Sequence, residues 1–549
     1  MVSALPGGGE RATATTEGTL AVELVHRAEE HPDLTFVSFP DVDLTYAAFL
    51  RRAVAMAKGL IAAGLRPGGH VAALMTNSPT YVELLFGVHL AGGVLVPLNA
   101  RFKRRELSYV LGRCDAELLV TTDAVDEHTD FTALVSEALP DLRPGPDGTV
   151  TAAGAPRLRR IYLDGAKEVP FAAPLPGLIE AGRGVPDDAV TAATHARTAD
   201  DTAVLLYTSG TTADPKGCEL THRALRGSWS AFADVVGLRR GEAMWTPCPF
   251  FHVGGIGPTV SALVRGAAVM SMSHFDPEVA LEHIERRHAE HLFPAFPPLT
   301  LGLLRAPGYA PERLRSVRTV LNVAPRETQE MIQALLPAEA TLLTDFGMTE
   351  GAGMITATAL DEPEGDRLGR NGNPIPGIEV RIADPDAPET LVPVDAPGEI
   401  QFRGVNAFRA YYRDPEATAA TILPGGWVRT GDSGSLNANG SLLFLGRRKD
   451  VLKVGGENVS PLEVEALLST HPEVRMAQIV GRPSARYGEV PVAFVETTDG
   501  AECTGADLIA FCRGDLASYK VPREIRFVTS WPMSATKIQK FRLRALLEE

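Results

Sequence analysis

The stretch Leu205-Leu-Tyr-Thr-Ser-Gly-Thr-Thr-Ala-Asp-Pro-Lys-Gly217 decides the interpretation, because it joins an apolar strand to a helix through a loop of small residues. The apolar run ending at Tyr207 predicts the end of a strand, and Thr221–Leu225 predicts the beginning of a helix. Backbone N–H groups, hydroxyls and the cation Lys216 in such a loop can surround phosphate oxygens. The spacing is not that of a Walker loop, so an ordinary polar loop stays open as the alternative.

Composition and charge exclude several classes of protein. A chain of 549 residues should form two or more domains, and its 45% apolar content is ordinary for a globular protein. The net charge of −15 argues against extended contact with nucleic acid or an anionic membrane. The five scattered cysteines predict a reducing compartment, without disulfides or a zinc site. Without a signal-like N-terminus or about 20 consecutive apolar residues, we expect no membrane span and predict the cytoplasm.

The hydrophobic pattern predicts an α/β fold with a doubly wound parallel sheet. His70–Met75 and Val94–Leu98 have the composition of buried strands, and a helix over Tyr81–Ala91 separates them. Strand–helix–strand order of this kind is typical of parallel sheets. By contrast, Pro140–Ala199 has weak periodicity and predicts irregular structure around one short strand, Arg160–Leu163.

A small β-unit and a compact tail complete the predicted architecture. Short apolar runs broken by Asp, Pro and Gly predict the β-unit over Glu379–Phe402. The charged segment Gly446–Asp450 marks the predicted boundary between two domains. The sequence thus predicts a large N-terminal domain over residues 18–448, made of doubly wound α/β subdomains and the β-unit. A small α/β C-terminal domain follows over residues 449–549.

Two motifs beyond the loop carry carboxylates at predicted strand ends. The segment Thr344–Gly351 carries Glu350 next to its last residue. Glu350 is a hard oxygen ligand of the kind that Mg²⁺ takes beside phosphates, and the alternative is that the segment is an ordinary helix start. Asp432 precedes a hairpin predicted to turn at Asn437–Gly440. Its carboxylate can accept two hydrogen bonds from a ribose diol, or it can cap a turn.

Two C-terminal motifs combine small residues with lysines. Lys453–Pro461 predicts a glycine turn that leads into a helix capped by Ser460, with Glu463 three residues on. Further along, Lys537 lies in a loop of small residues. Such a lysine is either a solvated charge or a cation that reaches inward.

Taken in order, the five motifs resemble those of the adenylate-forming superfamily, and most of all its acyl-CoA synthetases, from about Gly18 to Leu546. The resemblance implies a two-step reaction that uses ATP, Mg²⁺ and coenzyme A. A carboxylate first attacks the α-phosphate of ATP, which gives an acyl-adenylate and pyrophosphate. A thiol then displaces AMP. Attack of one anion on another needs cations and positioning, which explains the residue types.

The resemblance also implies roles in binding and activating ATP. Lys537 would bridge the carboxylate and the α-phosphate, Thr349 would contact the α-phosphate, and Glu350 would bind Mg²⁺. Asp432 and Arg447 would bind the ribose hydroxyls. The remaining ATP-binding positions are the phosphate loop residues Thr208, Ser209, Gly210, Thr211, Thr212 and Lys216, and the adenine-side residues Ala324, Pro325, Asp345, Phe346, Gly347 and Met348.

Other positions correspond to the family's hinge, thiol tunnel and acid pocket. Lys449 would be the hinge about which a mobile C-terminal domain turns, and Gly455 and Gly456 would lie against the pantetheine. The implied acid pocket, in which His252 also counts as catalytic, consists of Phe251, His252, Val253, Gly254, Asn322, Val323 and Met348. We expect an apolar acid, either a fatty acid or a larger biosynthetic intermediate.

Four positions depart from the family pattern. Ala213 replaces a glycine of the phosphate loop, and Thr536 replaces the glycine before the terminal lysine. Asn322 and Val323 replace two glycines in the wall of the acid pocket, so the sequence leaves the identity of the acid open.

Three functions remain for this pattern. The prediction is an acid:CoA ligase, because amino-acid-activating relatives usually have Asp at the position of Lys449. An adenylating enzyme that passes its acyl group to a carrier protein or a separate thiolating partner is the second. A nonenzymatic nucleotide- or acyl-binding regulator is the third, and the presence of Lys537, Glu350 and Asp432 together counts against it. The oligomeric state stays open, a homodimer included.

Overall fold

Two seven-stranded sheets form the main body of the computed structural model, which describes residues 18–208, 215–447, 450, 452–454, 457–484, 486–533 and 538–547. In spatial order, the first sheet contains Thr341–Leu343, Thr319–Asn322, His291–Ala295, Ala243–Trp245, Ala268–Met270, Thr35–Phe39 and Val42–Thr45. The second contains Lys216–Thr221, Thr202–Thr208, Val94–Pro97, His70–Leu74, Ala116–Thr122, Arg160–Asp164 and Ala173–Pro174. All neighbours pair in parallel except the two edge strands Val42–Thr45 and Lys216–Thr221.

Helices cover both faces of each sheet because the strands are apolar on both faces. Along His70–Leu74, Val71 and Ala73 face the core between the sheets, whereas Ala72 and Leu74 face an outer core. The helices in the central core are Leu20–Glu30, Tyr46–Ala62, Pro79–Leu90, His222–Val235 and Val253–Arg265. The outer helices are Arg104–Leu111 and Phe131–Ala138 on the second sheet, and Pro277–Arg287, Pro297–Leu304 and Arg326–Leu335 on the first.

The predicted strands and helix between residues 70 and 98 are confirmed. The observed helix begins earlier than predicted, at Pro79, because Ser78 caps it by accepting a hydrogen bond from the Tyr81 N–H at 3.0 Å.

The prediction of irregular structure over Pro140–Ala199 is wrong in part, since the helices Leu175–Ala181 and Asp187–His195 follow the strand Arg160–Asp164. Leu178 packs so closely on Gly59 that an added Cβ there would lie 2.6 Å from the Leu178 carbonyl oxygen. Tertiary packing against a glycine, rather than local periodicity, therefore supports the first of these helices.

A second strand replaces the predicted direct passage from the phosphate loop into a helix. Thr202–Thr208 pairs antiparallel with Lys216–Thr221, and the helix His222–Val235 begins only after the hairpin. Cys218 and Leu220 alternate inward along the second strand, a period-2 pattern that is too short to stand out in the sequence. The predicted helix start is confirmed, because the Thr221 hydroxyl accepts from the Ala224 N–H at 3.0 Å.

The small β-unit is confirmed as two antiparallel sheets. One contains Asp345–Phe346, Thr356–Ala357 and Asn373–Pro374, and the other contains Ile378–Ala383, Gly398–Gly404, Val428–Leu436 and Leu442–Arg447. The predicted turn at Asn437–Gly440 closes with a 2.9 Å hydrogen bond from the Gly440 N–H to the Asn437 carbonyl. The remaining short elements of the N-terminal part are the strands Arg143–Pro144 and Val150–Thr151 and the helices Glu364–Arg367 and Pro415–Thr421.

The C-terminal part has its own sheet and its own apolar core. Its strands are Leu452–Val454, Glu457–Val459, Val474–Ser484, Gly488–Thr497 and Glu524–Phe527, and its helices are Pro461–Ser469, Gly505–Asp515 and Lys540–Ala545. Ser460 precedes the first helix, but the prediction that its side chain caps the helix is wrong. The Ser460 hydroxyl instead donates to the Leu445 carbonyl at 2.8 Å, and Glu463 pairs with Lys520. Within the described ranges, no helix is long and apolar enough to cross a bilayer.

Candidate active site

Glu350 and Lys216 come together around one tyrosine. Glu350 is 8% exposed, and its Oε1 accepts a hydrogen bond from the Tyr411 hydroxyl at 2.7 Å. The ammonium group of Lys216 lies 5.1 Å from the centre of the Tyr411 ring. Burial and the neighbouring Glu350 carboxylate raise the pKa of Tyr411 above its ordinary value, so this hydroxyl stays protonated and donates to Glu350.

The loop of residues 408–412 pairs with the edge strand Lys216–Thr221, which explains why Glu350, Lys216 and Tyr411 lie close together. The Tyr412 N–H donates to the Gly217 carbonyl at 2.7 Å, and the Glu219 N–H donates to the Ala410 carbonyl at 3.0 Å. The same loop holds the Glu350 carbonyl through the Phe408 N–H at 2.8 Å. Sequence reasoning missed Tyr411, and its only local signal is the aromatic pair that it forms with Tyr412.

Thr208 and Lys216 face each other as the last residue pair of the hairpin that carries the phosphate loop. The predicted loop residues Ser209, Gly210, Thr211 and Thr212 lie outside the described residues. The hairpin fixes where the two ends of this loop must meet, beside Tyr411 and Glu350.

An aromatic wall lies on the adenine side of the predicted site. The ring of Phe346 faces that of Phe444, with 5.5 Å between their centres. Gly347 is exposed, and an added Cβ there would lie 1.6 Å from the Gly353 carbonyl oxygen, so only glycine fits. Met348 and Thr349 follow at the start of a short 3₁₀ turn, Thr349–Gly351.

The segment from Asn322 to Pro325 follows a strand of the first sheet and leads into the helix Arg326–Leu335. The side-chain amide of Gln329 donates to the Ala324 carbonyl at 2.7 Å and accepts from the Gly369 N–H at 3.0 Å. Asn322 is buried, and its amide donates to the Thr300 hydroxyl at 2.5 Å. Asn322 and Val323, which replace two glycines of the family pattern, therefore lie at the carboxyl end of the sheet, where open α/β sheets bind ligands.

Asp432 and Arg447 face each other across two strands of the β-unit. They are register partners, and the Arg447 Nε lies 3.9 Å from an Asp432 carboxylate oxygen. The Thr430 hydroxyl accepts from the Asp432 N–H at 3.0 Å and donates to the Ile400 carbonyl at 2.7 Å, which fixes the backbone at Asp432.

The predicted acid pocket gathers at the start of the helix Val253–Arg265. His252 occupies the N-cap position, and its ring lies 4.9 Å from that of the buried Phe251. At Gly254 an added Cβ would meet only the Phe293 ring, at 4.0 Å, so space is open there. At Gly255 no such space is open, because a Cβ there would lie 2.3 Å from the Pro249 carbonyl oxygen.

Asp345 is a buried carboxyl with an unpartnered oxygen in the described part of the chain. It is 7% exposed, and its Oδ1 has no hydrogen-bond partner among the described residues. Burial raises the pKa of Asp345 to about 7. The pKa of the buried Cys248 thiol is raised to about 12, chiefly by its own burial and in part by the Asp345 carboxylate, so this thiol stays neutral at working pH.

We expect the Asp345→Asn variant to be more stable than the native protein at alkaline pH. Between pH 3.8 and about 7 the folded state holds a proton that the unfolded state has lost, so stability falls as pH rises through this window. The asparagine variant lacks this loss, which amounts to roughly 2–4 kcal/mol at pH 8.5. Melting temperatures at pH 5 and pH 8.5 measure it, with the exposed Asp361→Asn change as the control. An equal difference between variant and native protein at both pH values would contradict the prediction.

Several predicted residues of the C-terminal domain lie outside the described residues. These are Lys449, Gly455, Gly456, Thr536 and Lys537. Described residues on both sides of Lys537 make contacts within the C-terminal part. Met533 and Ile538 form an antiparallel bridge, and the Lys540 ammonium group donates to the buried Glu465 carboxylate at 2.5 Å.

Comparison with known proteins agrees with this geometry. The AMP-binding enzyme family model matches residues 24–412, and the model of the AMP-binding enzyme C-terminal domain matches residues 463–537. A feruloyl-CoA synthase of an Amycolatopsis species is 33% identical, over 95% of this chain and 97% of the relative. A Rhodococcus jostii (strain RHA1) ligase that joins a methyl-dioxo-octahydroindenyl propanoyl group to CoA is 32% identical, over 95% of this chain and 97% of its own.

Among solved structures, ATP-bound MatB from Rhodopseudomonas palustris superposes with a TM-score of 0.82 at 27% identity. The superposed region covers 97% of this chain and 99% of the MatB chain. The matched models span both parts of the chain, and the relatives align over nearly their full length. The chain therefore belongs to the AMP-binding enzyme family, the adenylate-forming superfamily, as an AMP-forming acid:CoA ligase.

Proposed function

We propose that the protein activates a largely apolar carboxylic acid with ATP and transfers the acyl group to coenzyme A. The observation that carries this proposal is the convergence of Glu350, Lys216 and Tyr411 beside the ends of the phosphate loop. In the first step a carboxylate oxygen bonds to the α-phosphorus and the bond to pyrophosphate breaks. In the second step the thiol sulfur bonds to the acyl carbon, and AMP leaves while the thiol proton passes to solvent.

The roles of the side chains follow from where negative charge gathers. Lys216 and the loop from Thr208 to Thr212 would hold the β- and γ-phosphates, and Thr349 would contact the α-phosphate. Lys537 would neutralise the attacking carboxylate and the α-phosphate together. In these roles, cations and hydroxyls would act where two anions must approach each other, which is the main barrier to the first step.

Mg²⁺ fits the site through Glu350. One oxygen of this carboxylate is engaged by Tyr411, and the other has no hydrogen-bond partner among the described residues. The described residues contain no group of three potential metal ligands, which suits an ion that takes one or two carboxylates and otherwise phosphate oxygens and water. When bound, the ion would neutralise phosphate charge during adenylation.

We propose that the adenosine moiety lies between Phe346 and the β-unit. Ala324, Pro325, Gly347 and Met348 would border the adenine, and Asp432 with Arg447 would bind the ribose hydroxyls. The distance of 3.9 Å between the Arg447 Nε and an Asp432 carboxylate oxygen supports a shared role.

The Asp432→Ala change is expected to raise the KM for ATP by about tenfold to a hundredfold while kcat falls less. The carboxylate would accept two hydrogen bonds from the ribose, and each bond to a charged group contributes roughly 1.5 kcal/mol or more. Steady-state kinetics with ATP as the varied substrate measure the effect. Glu379→Gln, which changes an exposed pair with Arg403 in the same β-unit, is the matched control. An unchanged KM in Asp432→Ala would contradict the ribose assignment.

We also propose a division into an N-terminal domain of residues 18–448 and a C-terminal domain of residues 449–549 that turns about Lys449. The separate apolar core of the C-terminal part supports it. Gly455 and Gly456 would then line the path of the pantetheine in the thioester-forming state.

The nature of the acid follows from the side chains around the start of the helix Val253–Arg265. Phe251, Val253 and Met348 are apolar, Gly254 opens space beside the Phe293 ring, and Val323 lines the neighbouring strand end. His252 is the one charged or polar residue at that helix start. The acyl groups named for the two relatives, an aryl and a bicyclic one, support an acid of this size.

Acid-dependent exchange of label between pyrophosphate and ATP tests the proposal. We expect exchange with some members of a panel of fatty, aryl and polycyclic acids, and none with short polar or amino acids. Coenzyme A added to the productive acid should then give the thioester. Accumulation of acyl-adenylate that only a carrier protein or thiolating partner discharges would favour the alternative acceptor, and ATP binding without exchange would favour a regulator.

The location of the protein in the cytoplasm is likewise a proposal. It rests on the five cysteines, all of which are unpaired and four of which are buried.

A further inference from the structure

Tyr411 lies in a loop that connects the turn of Glu350 to the edge strand beside the phosphate loop. On one side of this loop, the Phe408 N–H donates to the Glu350 carbonyl at 2.8 Å. On the other side, the Tyr412 N–H donates to the Gly217 carbonyl at 2.7 Å. Backbone N–H groups make these contacts, so they do not depend on the Tyr411 hydroxyl.

The side chain of Tyr411 contacts two groups of opposite charge at once. Its hydroxyl donates to Glu350 Oε1 at 2.7 Å. The Lys216 ammonium group lies 5.1 Å from the centre of its ring, within the range of a cation–π contact. Tyr411 is 8% exposed, so both contacts are made where little water reaches the side chain. The hydroxyl thus holds a carboxylate, and the ring holds an ammonium group.

Glu350 differs from the other buried glutamates in the described part of the chain by its partner. Its carboxylate pairs with a neutral hydroxyl, and no ion pair joins it to Lys216 in the ranges described. The fold therefore leaves the negative charge of Glu350 uncompensated, which suits a ligand of a cation. The other three buried glutamates each pair with a cation: Glu23 with Arg226, Glu399 with Arg429, and Glu465 with Lys540.

A direct ion pair between Glu350 and Lys216 would interfere with the roles proposed for both side chains. Opposite charges attract strongly where little water screens them, and a hydrogen-bonded pair satisfies both. A lysine bound to the carboxylate would no longer neutralise phosphate oxygens, and the carboxylate would offer less charge to Mg²⁺. The contacts of Tyr411 oppose this pairing, because each charged group has a separate place on the tyrosine.

We propose that Tyr411 is a positioning residue for adenylation, which orients the Glu350 carboxylate with its hydroxyl, holds the Lys216 ammonium group on its ring, and keeps the two charges apart. The inference rests on the proposed function and deepens it, because it uses the roles given there to Glu350 and Lys216. Tyr411 itself touches neither Mg²⁺ nor phosphate in this account, and it acts only through the two charged side chains.

Metal binding and nucleotide binding test the two contacts separately. The probes are Mn²⁺, followed by the electron paramagnetic resonance of the free ion, and α,β-methylene-ATP, which cannot release pyrophosphate. In Tyr411→Phe the carboxylate loses one hydrogen bond, so Mn²⁺ should bind the complex of protein and nucleotide about tenfold more weakly. Nucleotide affinity without a divalent ion should stay within about twofold of the native value, because the ring still holds Lys216.

Tyr411→Leu removes the ring as well and tests whether the tyrosine keeps the two charges apart. Nucleotide affinity without a divalent ion should fall about fivefold, since Lys216 loses the ring and can pair with Glu350. The second change Glu350→Gln removes the charge that would bind the lysine. It should raise the affinity of Tyr411→Leu by a factor about three times larger than it does in the native protein, which is the coupling that a double-mutant cycle measures.

Tyr412→Phe is the matched control for the loss of a hydroxyl. The Tyr412 hydroxyl also donates to a carboxylate from the same loop, that of Asp115 at 2.7 Å. Its removal should leave the binding of Mn²⁺ and of the nucleotide unchanged. Tyr411→Phe keeps nearly the full size of the side chain, so it provides a test even if Tyr411→Leu folds poorly.

The outcomes separate the inference from the function on which it rests. Native affinity for Mn²⁺ in Tyr411→Phe overturns the inference, and so does an equal loss of Mn²⁺ affinity in Tyr412→Phe. An effect of Glu350→Gln that is the same with and without Tyr411 overturns the claim that the tyrosine separates the charges. A native protein that does not bind α,β-methylene-ATP refutes the proposed function, and the inference falls with it.

Discussion

Replacing Glu350 by glutamine is expected to lower the rate of acid-dependent ATP–pyrophosphate exchange by about 10²–10³-fold. The amide keeps the size of the side chain and can still accept from Tyr411, so the fold around it should persist. What it loses is the negative charge that would hold Mg²⁺ beside the phosphates, and preorganised electrostatic groups of this kind contribute a few kcal/mol to catalysis.

The measurement is exchange rate against Mg²⁺ concentration for the native protein and the variant. We expect a shift of the half-saturating Mg²⁺ concentration to higher values together with the lower maximum rate. Glu219→Gln is the matched control, because Glu219 lies on the neighbouring edge strand and its carboxylate accepts from the Thr202 hydroxyl at 2.9 Å. A Glu350→Gln protein that retains half of the native rate at every Mg²⁺ concentration would refute the metal assignment.

Replacing Lys537 by alanine should affect the two half-reactions very differently. Lys537 would contact both anions only while the carboxylate attacks the α-phosphate, so adenylation should slow by about 10²–10⁴-fold. Thioester formation from a supplied acyl-adenylate and coenzyme A should change by no more than a few fold, because the attacked carbon no longer bears a free carboxylate.

Separate assays of the two steps provide the readout. Label exchange follows the first step, and release of AMP from chemically prepared acyl-adenylate follows the second. Lys520→Ala is the control in the same domain, because its ammonium group pairs at the surface with Glu463, an interaction that contributes little. Equal losses in both steps would show that Lys537 supports the domain rather than adenylation.

Residues with strong local signals could be predicted from the sequence. The helix over Tyr81–Ala91 and the strands that flank it combine apolar runs with a capping serine and a proline, so local preference and tertiary packing agree. The turn at Asn437–Gly440 could likewise be predicted from its glycine. Gly440 adopts a φ of 80°, which suits glycine.

Elements that depend on distant partners were missed. The strand Lys216–Thr221 is stabilised by pairing with Thr202–Thr208 on one side and with the loop at Ala410–Tyr412 on the other. The helix Leu175–Ala181 depends on Gly59, more than a hundred residues away. The Ser460 hydroxyl donates to the Leu445 carbonyl instead of capping the helix that follows it. No local sequence pattern indicates this contact.

By itself, the sequence determined the strands and helices that have strong local periodicity and the types of side chain available for phosphate chemistry, because periodicity and loop composition are local properties of the chain. Only the tertiary structure decided that Tyr411 joins Glu350 to Lys216, since these residues lie far apart in the chain and meet through edge pairing. It also decided that, among the described residues, the Asp345 Oδ1 has no hydrogen-bond partner, because whether a carboxyl is paired depends on which groups the fold brings within hydrogen-bonding distance of it.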